Sequence, residues 1–194
     1  MPEPIRKINI MVSSSVYGIQ DLLNQIYAVL GGYGYNVWMS HKGTIPTNPQ
    51  QTAFENCLTA VQNCDVFLGL ITGNYGSGIA PGKLSITHQE ILKAIEMEKL
   101  RWFLAHHQVT LARQLLKQFR FHEDGSLKPL DFKKTTVLSD IRVLEMYESA
   151  IRQDQPMAQR TGNWVQEYIS TEDVLLFIKT QFEDAERLRQ MLYG

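Results

Sequence analysis

The chain has 194 residues, of which 44% are hydrophobic and 20% are charged, a composition typical of a globular domain. Its 19 Lys and Arg residues are balanced by 20 Asp and Glu, and a formal net charge of -1 gives no bulk attraction to nucleic acid or to an anionic membrane. No stretch approaches the roughly 20 apolar residues of a membrane span, and the N-terminus lacks a signal-peptide pattern. We therefore expect a soluble, cytoplasmic protein that binds neither nucleic acid nor a membrane.

The first strand and helix are predicted from an apolar run that is followed by apolar residues at helical spacing. Residues 7–12, KINIMV, are β-branched and apolar, which indicates a buried strand, and the serines Ser13, Ser14 and Ser15 follow it. Apolar residues then recur at helical spacing from Ile19 to Leu30 and stop at GGYG, where glycine favours the end of a helix.

The next elements continue the alternation. Residues 35–39, YNVWM, predict a second strand, and the Pro-containing residues 40–49 predict a loop before a second helix. Cys57 and Cys64, the two cysteines of the chain, lie in this region without a zinc or redox spacing, so we interpret them as reduced packing residues. Residues 65–72, DVFLGLIT, form the most continuous apolar run and predict a central parallel strand.

The alternation of strands and helices defines the predicted fold. Residues 73–85 read as a loop, residues 86–98 as a third helix and residues 101–105, RWFLA, as a fourth strand. Right-handed crossovers then give a three-layer α/β fold, flavodoxin-like or TIR-like, whose parallel sheet has the order 2-1-3-4-5 and is flanked by helices.

The second half of the chain leaves one alternative open. Residues 109–119 predict a helix, and residues 122–129 predict a turn-rich loop. Residues 135–152 fit either one helix or a fifth strand at IRVLEM, residues 141–146, that runs into a short helix. We favour the strand because four strands would leave a sheet edge bare.

The last forty residues are predicted to be a loop and a long helix. Residues 153–168 have loop composition, with Trp164 expected to cover the sheet edge. Apolar residues at helical spacing from Val174 to Leu192 predict one long amphipathic C-terminal helix. We accordingly divide the chain into an α/β domain, residues 1–152, and a C-terminal extension, residues 153–194, that packs on it or forms a homo-oligomer interface.

A ligand site is expected where the strand order reverses, between strands one and three, because loops diverge there at the carboxyl ends of parallel strands. Two small, polar loops flank this point, and both offer backbone N–H groups. Their candidate nucleotide-binding residues are Ser13, Ser14 and Ser15 in the first loop and Asn74, Tyr75, Gly76 and Ser77 in the second. Neither loop matches a Walker A sequence or the dinucleotide fingerprint, which disfavours simple NTP hydrolysis and hydride transfer.

The candidate catalytic residue is Glu90, in the stretch SITHQEILKA. Thr87 to Glu90 fits a capping box, so a purely structural role is one interpretation. The other is that Glu90 faces the crevice as a carboxylate whose pKa the helix N-terminus keeps low. Such a group suits a nucleophile, or a stabiliser of the cationic sugar that forms when an N-glycosidic bond breaks. Ser85 and His88 are neighbouring candidates for ligand contact, although a solvated His88 is the simpler expectation.

Trp38 and Asp65 complete the candidates, and two adjacent histidines are set aside. Trp38 ends the second strand and is either a core aromatic or a base-stacking residue. Asp65 opens the third strand and either has a functional role or caps and pairs locally. His106 and His107 are adjacent at a strand end, where neighbours point to opposite faces, so we predict no metal site.

Three segments together resemble a known family: IMVSSS, AVQNCDVFLGLITGNYGSG and SITHQEILKAIEMEK. They look like the bacterial family of domains of unknown function numbered 4062, which is itself similar to TIR and nucleoside 2-deoxyribosyltransferase domains. The resemblance covers residue 7 to about residue 105. It implies a catalytic role for Glu90, whose neighbour Ala94 matches the family context, a nucleotide site lined by Ser13 and Ser14, and a base stacked on Tyr75.

The chain departs from many family members after its serines, where Ser15-Val16-Tyr17-Gly18 replaces a Thr-Phe-x-Asp-Leu pattern. The resulting hypothesis is a TIR-like nucleotide-binding domain that cleaves or transfers at the N-glycosidic bond of NAD or a nucleoside and requires no cofactor. The alternative is a non-catalytic nucleotide-sensing or self-associating signalling module. The resemblance alone suggests a role in defence or stress signalling.

Overall fold

A computed structural model describes residues 6–78 and 83–194 of the chain. Within them, five parallel strands form one sheet in the order β2-β1-β3-β4-β5, which confirms the predicted order 2-1-3-4-5 and the α/β fold. The strands are β1 (Asn9–Ser14), β2 (Asn36–Trp38), β3 (Val66–Ile71), β4 (Leu100–His106) and β5 (Val165–Tyr168).

Helices cover both faces of the sheet, as a parallel sheet requires. The α-helices of the described residues are α1 (Gln20–Gly32), α2 (Ala53–Asn63), α3 (Ile86–Glu96), α4 (His107–Arg120), α5 (Arg142–Ala150), α6 (Thr171–Phe182) and α7 (Ala185–Tyr193). One hydrophobic core lies between the sheet and helices α1, α6 and α7, and it contains Ile26, Ile178 and Leu188. The other lies beneath α2, α3, α4 and α5 and contains Val61, Ile91 and Val143.

The central strand β3 is buried along its whole length, as its continuous apolar sequence predicts. Gly69 in this strand leaves room for the ring of Phe103 on β4, because an added Cβ would lie 2.7 Å from that ring. Phe103 also meets Phe67 edge to face, with ring centroids 6.1 Å apart. The strand therefore lies buried in the middle of the sheet, and the loop that starts at Thr72 follows its carboxyl end.

The fifth strand is not where the sequence predicts it. Residues 141–146 do not form a strand, because the segment belongs to helix α5, whose buried residues Val143, Leu144, Met146 and Ala150 pack in the second core. The edge strand is β5, within the stretch predicted as a loop, and it pairs in parallel with β4 from Phe103↔Val165 to His106↔Tyr168. The strand order is right although the segment that supplies the fifth strand was misidentified.

The C-terminal region also differs in detail from its prediction. The single long helix expected over residues 174–192 is divided into α6 and α7, since Asp184 caps a new helix by accepting a hydrogen bond from the Arg187 backbone N–H at 2.9 Å. Trp164, expected to cover the sheet edge, is 72% exposed. Among the described residues, no helix has the length and apolar character needed to cross a membrane.

Candidate functional site

Helix α3 begins at Ile86, the residue that the sequence predicts, but its N-cap lies two residues before the expected one. Ser85 is its N-cap, and the Ser85 hydroxyl accepts a hydrogen bond from the His88 backbone N–H at 3.2 Å. The predicted capping box from Thr87 to Glu90 is therefore wrong, because both residues lie inside the helix. Glu90 falls in the second turn of α3, where its side chain is not needed to satisfy the helix terminus.

The Glu90 carboxyl group reaches across to strand β1. It accepts a hydrogen bond from the Ser13 hydroxyl, with 2.5 Å between Ser13 Oγ and Glu90 Oε2. Both residues are buried, and Glu90 is only 4% exposed. Glu90 therefore does not turn back onto its own helix terminus, and its hydrogen-bond partner is one of the serines named as candidates.

Burial, rather than the helix terminus, sets the ionisation of Glu90. Loss of solvation raises the pKa of Glu90 to about 7, while the hydrogen bonds from Ser13 and Cys57 oppose that rise. The expectation of a low pKa is therefore wrong, because the favourable charge of a helix N-terminus falls off within the first turn. Among the described residues, no Lys, Arg or His forms an ion pair with Glu90.

Cys57 of helix α2 is a second neighbour of this carboxyl group. The pKa of the Cys57 thiol is raised to about 12, first by burial and then by the charge of Glu90. The thiol is therefore protonated and can donate to the carboxylate, but it is not a nucleophile. The cysteine prediction holds in part: both cysteines are buried and free, while Cys57 also belongs to the surroundings of Glu90.

Tyr75 and His88 form a second polar pair close to α3. The Tyr75 hydroxyl and His88 Nδ1 are 2.8 Å apart, and both side chains are buried. Burial lowers the pKa of His88 to about 4, with the charge of Arg142 as a smaller cause. The expectation of a solvated His88 is wrong, since the residue is 3% exposed. Tyr75 also carries the Arg142 guanidinium over its ring, 4.4 Å from the centroid, so this ring face is already covered.

The two loops that flank the switch point contact each other directly. Ser15 Oγ and Thr72 Oγ1 are 2.9 Å apart, and Asn74 Nδ2 donates to the Tyr17 carbonyl at 3.2 Å. An added Cβ on Gly76, whose φ is +82°, would lie 3.6 Å from Ser15 Cβ. The crevice expected between strands one and three is therefore bridged by contacts between its own walls.

An open cleft lies beside this bridge, at the carboxyl ends of β1, β3, β4 and β5. Its volume is about 620 Å³, within the range of small-molecule sites. We call it the carboxyl-edge cleft, and it is lined by Tyr17–Leu22, Thr72–Asn74, His106, Gln108, Lys134–Val137, Ser139 and Tyr168–Thr171. Glu90 is not among these residues, whereas Asn74 is.

The remaining candidates are spread around the sheet. Ser14 donates to the Ser15 carbonyl at 3.1 Å, and the Ser77 carbonyl accepts from the Ile86 N–H at 2.9 Å. Trp38 is half-buried and packs against the second core. Asp65 lies at the opposite, amino end of β3, where it pairs with Arg6 at 2.9 Å. Asp65 thus has the local pairing role that the sequence offered as the alternative to function.

Ser139 and Arg142, which the sequence did not single out as candidates, contact the loop that carries Tyr75. Ser139 accepts a hydrogen bond from the Tyr75 backbone N–H at 2.8 Å, and its own N–H donates to the Gly73 carbonyl at 2.8 Å. Arg142 forms an ion pair with Asp140 at 2.6 Å and donates to the Lys83 carbonyl at 2.9 Å. No local sequence signal marks the contacts of Ser139 with Tyr75 and Gly73 or of Arg142 with Lys83, because they join segments about 60 residues apart.

Comparisons with known proteins place the chain in a family. The profile described as Domain of unknown function (DUF4062) matches residues 9–191. This match confirms the resemblance inferred from the sequence and extends it well beyond residue 105. No curated protein matches the chain significantly. Among solved structures, a 2-desoxiribosyltransferase from Leishmania mexicana aligns with 11% sequence identity and a TM-score of 0.38. The alignment covers 74% of this chain and 97% of that chain, and a likeness this weak carries no argument about function.

Proposed function

The chain belongs to the DUF4062 family, and we propose that it binds a nucleoside or nucleotide and cleaves or transfers at the N-glycosidic bond with Glu90. The observation that carries the proposal is the Glu90–Ser13 pair: a buried carboxyl group without an ion-pair partner among the described residues, held by one short hydrogen bond at the end of β1. A buried carboxyl group costs stability, and strongly shifted pKa values concentrate at functional sites.

The chemistry follows from the charge of the carboxylate. When the bond between the base and the sugar breaks, its electron pair leaves with the base and the anomeric carbon becomes electron-poor. An ionised Glu90 stabilises that carbon or bonds to it, and water or an acceptor base then adds there and loses a proton. The Ser13 hydroxyl orients the carboxylate. Nicotinamide is a suitable leaving group, because it departs from NAD as a neutral molecule without protonation.

The pKa of about 7 has a direct consequence for this mechanism. Only the ionised carboxylate stabilises positive charge, so the rate of base release should rise with pH through about 7 and then level off. A rate that falls over the same range would instead indicate that Glu90 acts as an acid. The pH profile therefore separates two roles for the same side chain.

The decisive experiment is product analysis on a panel of NAD and common nucleosides, with wild type and Glu90→Gln compared. Gln keeps the size of Glu90 and an oxygen that accepts from Ser13 but lacks the charge, so we expect loss of base release in a folded protein. Glu96→Gln is the matched control, because Glu96 lies on the same helix and pairs with Lys93 at the surface. Release of base by Glu90→Gln at the wild-type rate would refute the proposal.

A second candidate is a non-catalytic nucleotide-sensing or self-associating module. It is favoured by the 4% exposure of Glu90 and by the absence of Glu90 from the lining of the carboxyl-edge cleft. In this alternative Glu90 only ties α3 to β1. Wild-type protein that binds a nucleotide but releases no base at high concentration would support it, and sedimentation with and without that nucleotide would show whether binding changes self-association.

A further inference from the structure

We infer that the carboxyl-edge cleft is a binding site for the phosphate group of a small molecule, separate from Glu90 and independent of the chemistry proposed there. The cleft has room for a nucleotide or a sugar phosphate, and helices α1, α4 and α6 all begin at its rim. Helix N-termini favour anions because their first N–H groups lack partners within the helix.

Of these three helix N-termini, that of α1 is best arranged to bind an anion. Its N-cap, Ile19, makes no side-chain cap, and the first intrahelical bond is from the Leu23 N–H to the Ile19 carbonyl at 3.0 Å. The backbone N–H groups of Gln20, Asp21 and Leu22 therefore precede that bond, and all three residues line the cleft. Helix α6 differs, because Ser170 and Asp173 form a complete capping box at its start.

Tyr168 is an independent indication of a ligand. It lines the cleft and is 4% exposed, and its hydroxyl has no hydrogen-bond partner among the described residues. A buried hydroxyl without an acceptor is uncommon and costs stability. Burial raises the pKa of Tyr168 to about 12, so the group remains a donor at neutral pH. A phosphate oxygen that reaches this hydroxyl would supply the acceptor that the described residues do not provide.

Further donors belong to the same lining. His106 Nδ1 accepts from the Gln108 backbone N–H at 3.4 Å, which leaves Nε2 to carry the proton of the neutral ring. The ring of His106 lies 5.2 Å from that of Tyr168, so the two side chains are neighbours in the cleft. Lys134 supplies the cation of the lining, and Asp21 supplies its opposing carboxylate.

The cleft is separated from Glu90 by side chains rather than connected to it. Thr72 lines the cleft and bonds to Ser15 on the far side, and Ser15 and Ser13 are both buried. A ligand in the cleft thus contacts Thr72 but not the Glu90 carboxyl group. Phosphate binding should therefore survive Glu90→Gln, and failure of the proposed chemistry would leave this inference standing.

The test is calorimetric titration of the full chain with inorganic phosphate, pyrophosphate, ADP and adenosine. We expect the phosphate-bearing probes to bind and adenosine not to bind. Stronger binding of ADP than of pyrophosphate would identify a nucleotide rather than a free phosphate as the ligand. Tyr168→Phe and Lys134→Ala should each weaken ADP binding about tenfold, and Asp21→Asn should strengthen it.

The controls are Lys133→Ala, which removes an adjacent exposed cation outside the lining, and Glu90→Gln; both should bind ADP as wild type does. Melting temperature checks the fold, and Tyr168→Phe should not lower it because no described residue bonds to the hydroxyl that it removes. The inference is overturned if no phosphate-bearing probe binds, if adenosine binds as well as ADP, or if neither Tyr168→Phe nor Lys134→Ala weakens binding.

Discussion

Glu90 on helix α3 and Ser13 on strand β1 share a hydrogen bond of 2.5 Å between residues that are 77 positions apart in the sequence. The bond joins the second turn of a helix to the end of a central strand, and neither side chain has substantial exposure. This pair therefore links the fold to the candidate chemistry, since the contact that orients the carboxylate also fixes α3 against the sheet.

Glu90→Gln should change stability in a pH-dependent way. The folded-state pKa of about 7 lies above the ordinary value of 4.5, so the stability that Glu90 contributes is complete below about pH 4.5 and is lost as pH rises to about 7. That span corresponds to about 3–4 kcal/mol, at about 1.4 kcal/mol per pH unit. We therefore expect the free energy of unfolding of Glu90→Gln, minus that of wild type, to be larger at pH 8 than at pH 5.

Thermal melting of both proteins across this pH range measures the effect. The comparison uses the difference in stability between the two proteins, so the effects of groups that titrate in both cancel. His88 is one such group: its pKa is lowered to about 4, and it costs stability as pH falls from about 6.5. A constant difference between pH 5 and pH 8 would mean that Glu90 does not titrate in this window.

Ser13→Ala should raise the pKa of Glu90 above that of the wild-type protein. The Ser13 hydroxyl opposes the effect of burial by donating to the carboxylate, and its loss removes that stabilisation of the charged form. Carboxyl ¹³C NMR titration would follow Glu90 directly. We also expect a loss of about 1–3 kcal/mol in the free energy of unfolding at pH 8, because a buried charge loses a donor.

Ser14→Ala is the control for this change. Ser14 is adjacent in β1, but its hydroxyl donates to the Ser15 carbonyl rather than to Glu90. The Glu90 titration should therefore match that of wild type in Ser14→Ala. Equal effects of the two substitutions would show that the Ser13 hydrogen bond does not govern the carboxyl group.

Gly73→Ala should strongly destabilise the loop that separates the cleft from Glu90. An added Cβ would lie 1.9 Å from the Val137 carbonyl oxygen, which belongs to the backbone and cannot rotate away. We expect a loss of about 3 kcal/mol or more, within the range of severe steric substitutions, measured by urea denaturation.

Gly31→Ala provides the matching substitution in open space. Gly31 lies in α1 with no atom within 4 Å of its added Cβ, so the better helix propensity of Ala should stabilise the protein by about 0.5–1 kcal/mol. If Gly73→Ala were as stable as Gly31→Ala, residues 134–139 would not be docked on the loop as the structure shows.

The order of the sheet was predictable because its central strands carry a strong local signal. β3 is a continuous apolar run, β1 has an apolar centre at Ile10–Val12, and the helices between the strands have clear periodicity. The edge strand was not predictable in the same way: β5 has only four residues, and Gln166 and Glu167 give it the polarity of a loop. Residues 142–150 form a helix since their apolar side chains bury one face against α3 and α4, and only tertiary packing distinguishes this from a strand.

The sequence named candidate residues for the site but did not give the environment of their side chains. The sequence named Glu90 and Ser13, yet it placed the cap of α3 at Thr87, two residues after the N-cap that the structure has, Ser85, and helix ends are the least certain part of a pattern-based assignment. Burial is a property of the folded chain, so neither the raised pKa of Glu90 nor the lowered pKa of His88 was foreseeable. The cleft was missed because its walls include residues 134–137 and 168–171, which have no functional motif.

The position of β5 has a practical consequence for shortened forms of the protein. A chain that stopped at residue 152 would lose the neighbour of β4 together with the helices that cover it. The backbone groups of β4 that now bond to residues 165–168 would become an exposed, regular template, and such edges recruit other strands into aggregates. Truncation would thus turn β4 from an interior strand into an exposed edge strand that is prone to aggregation.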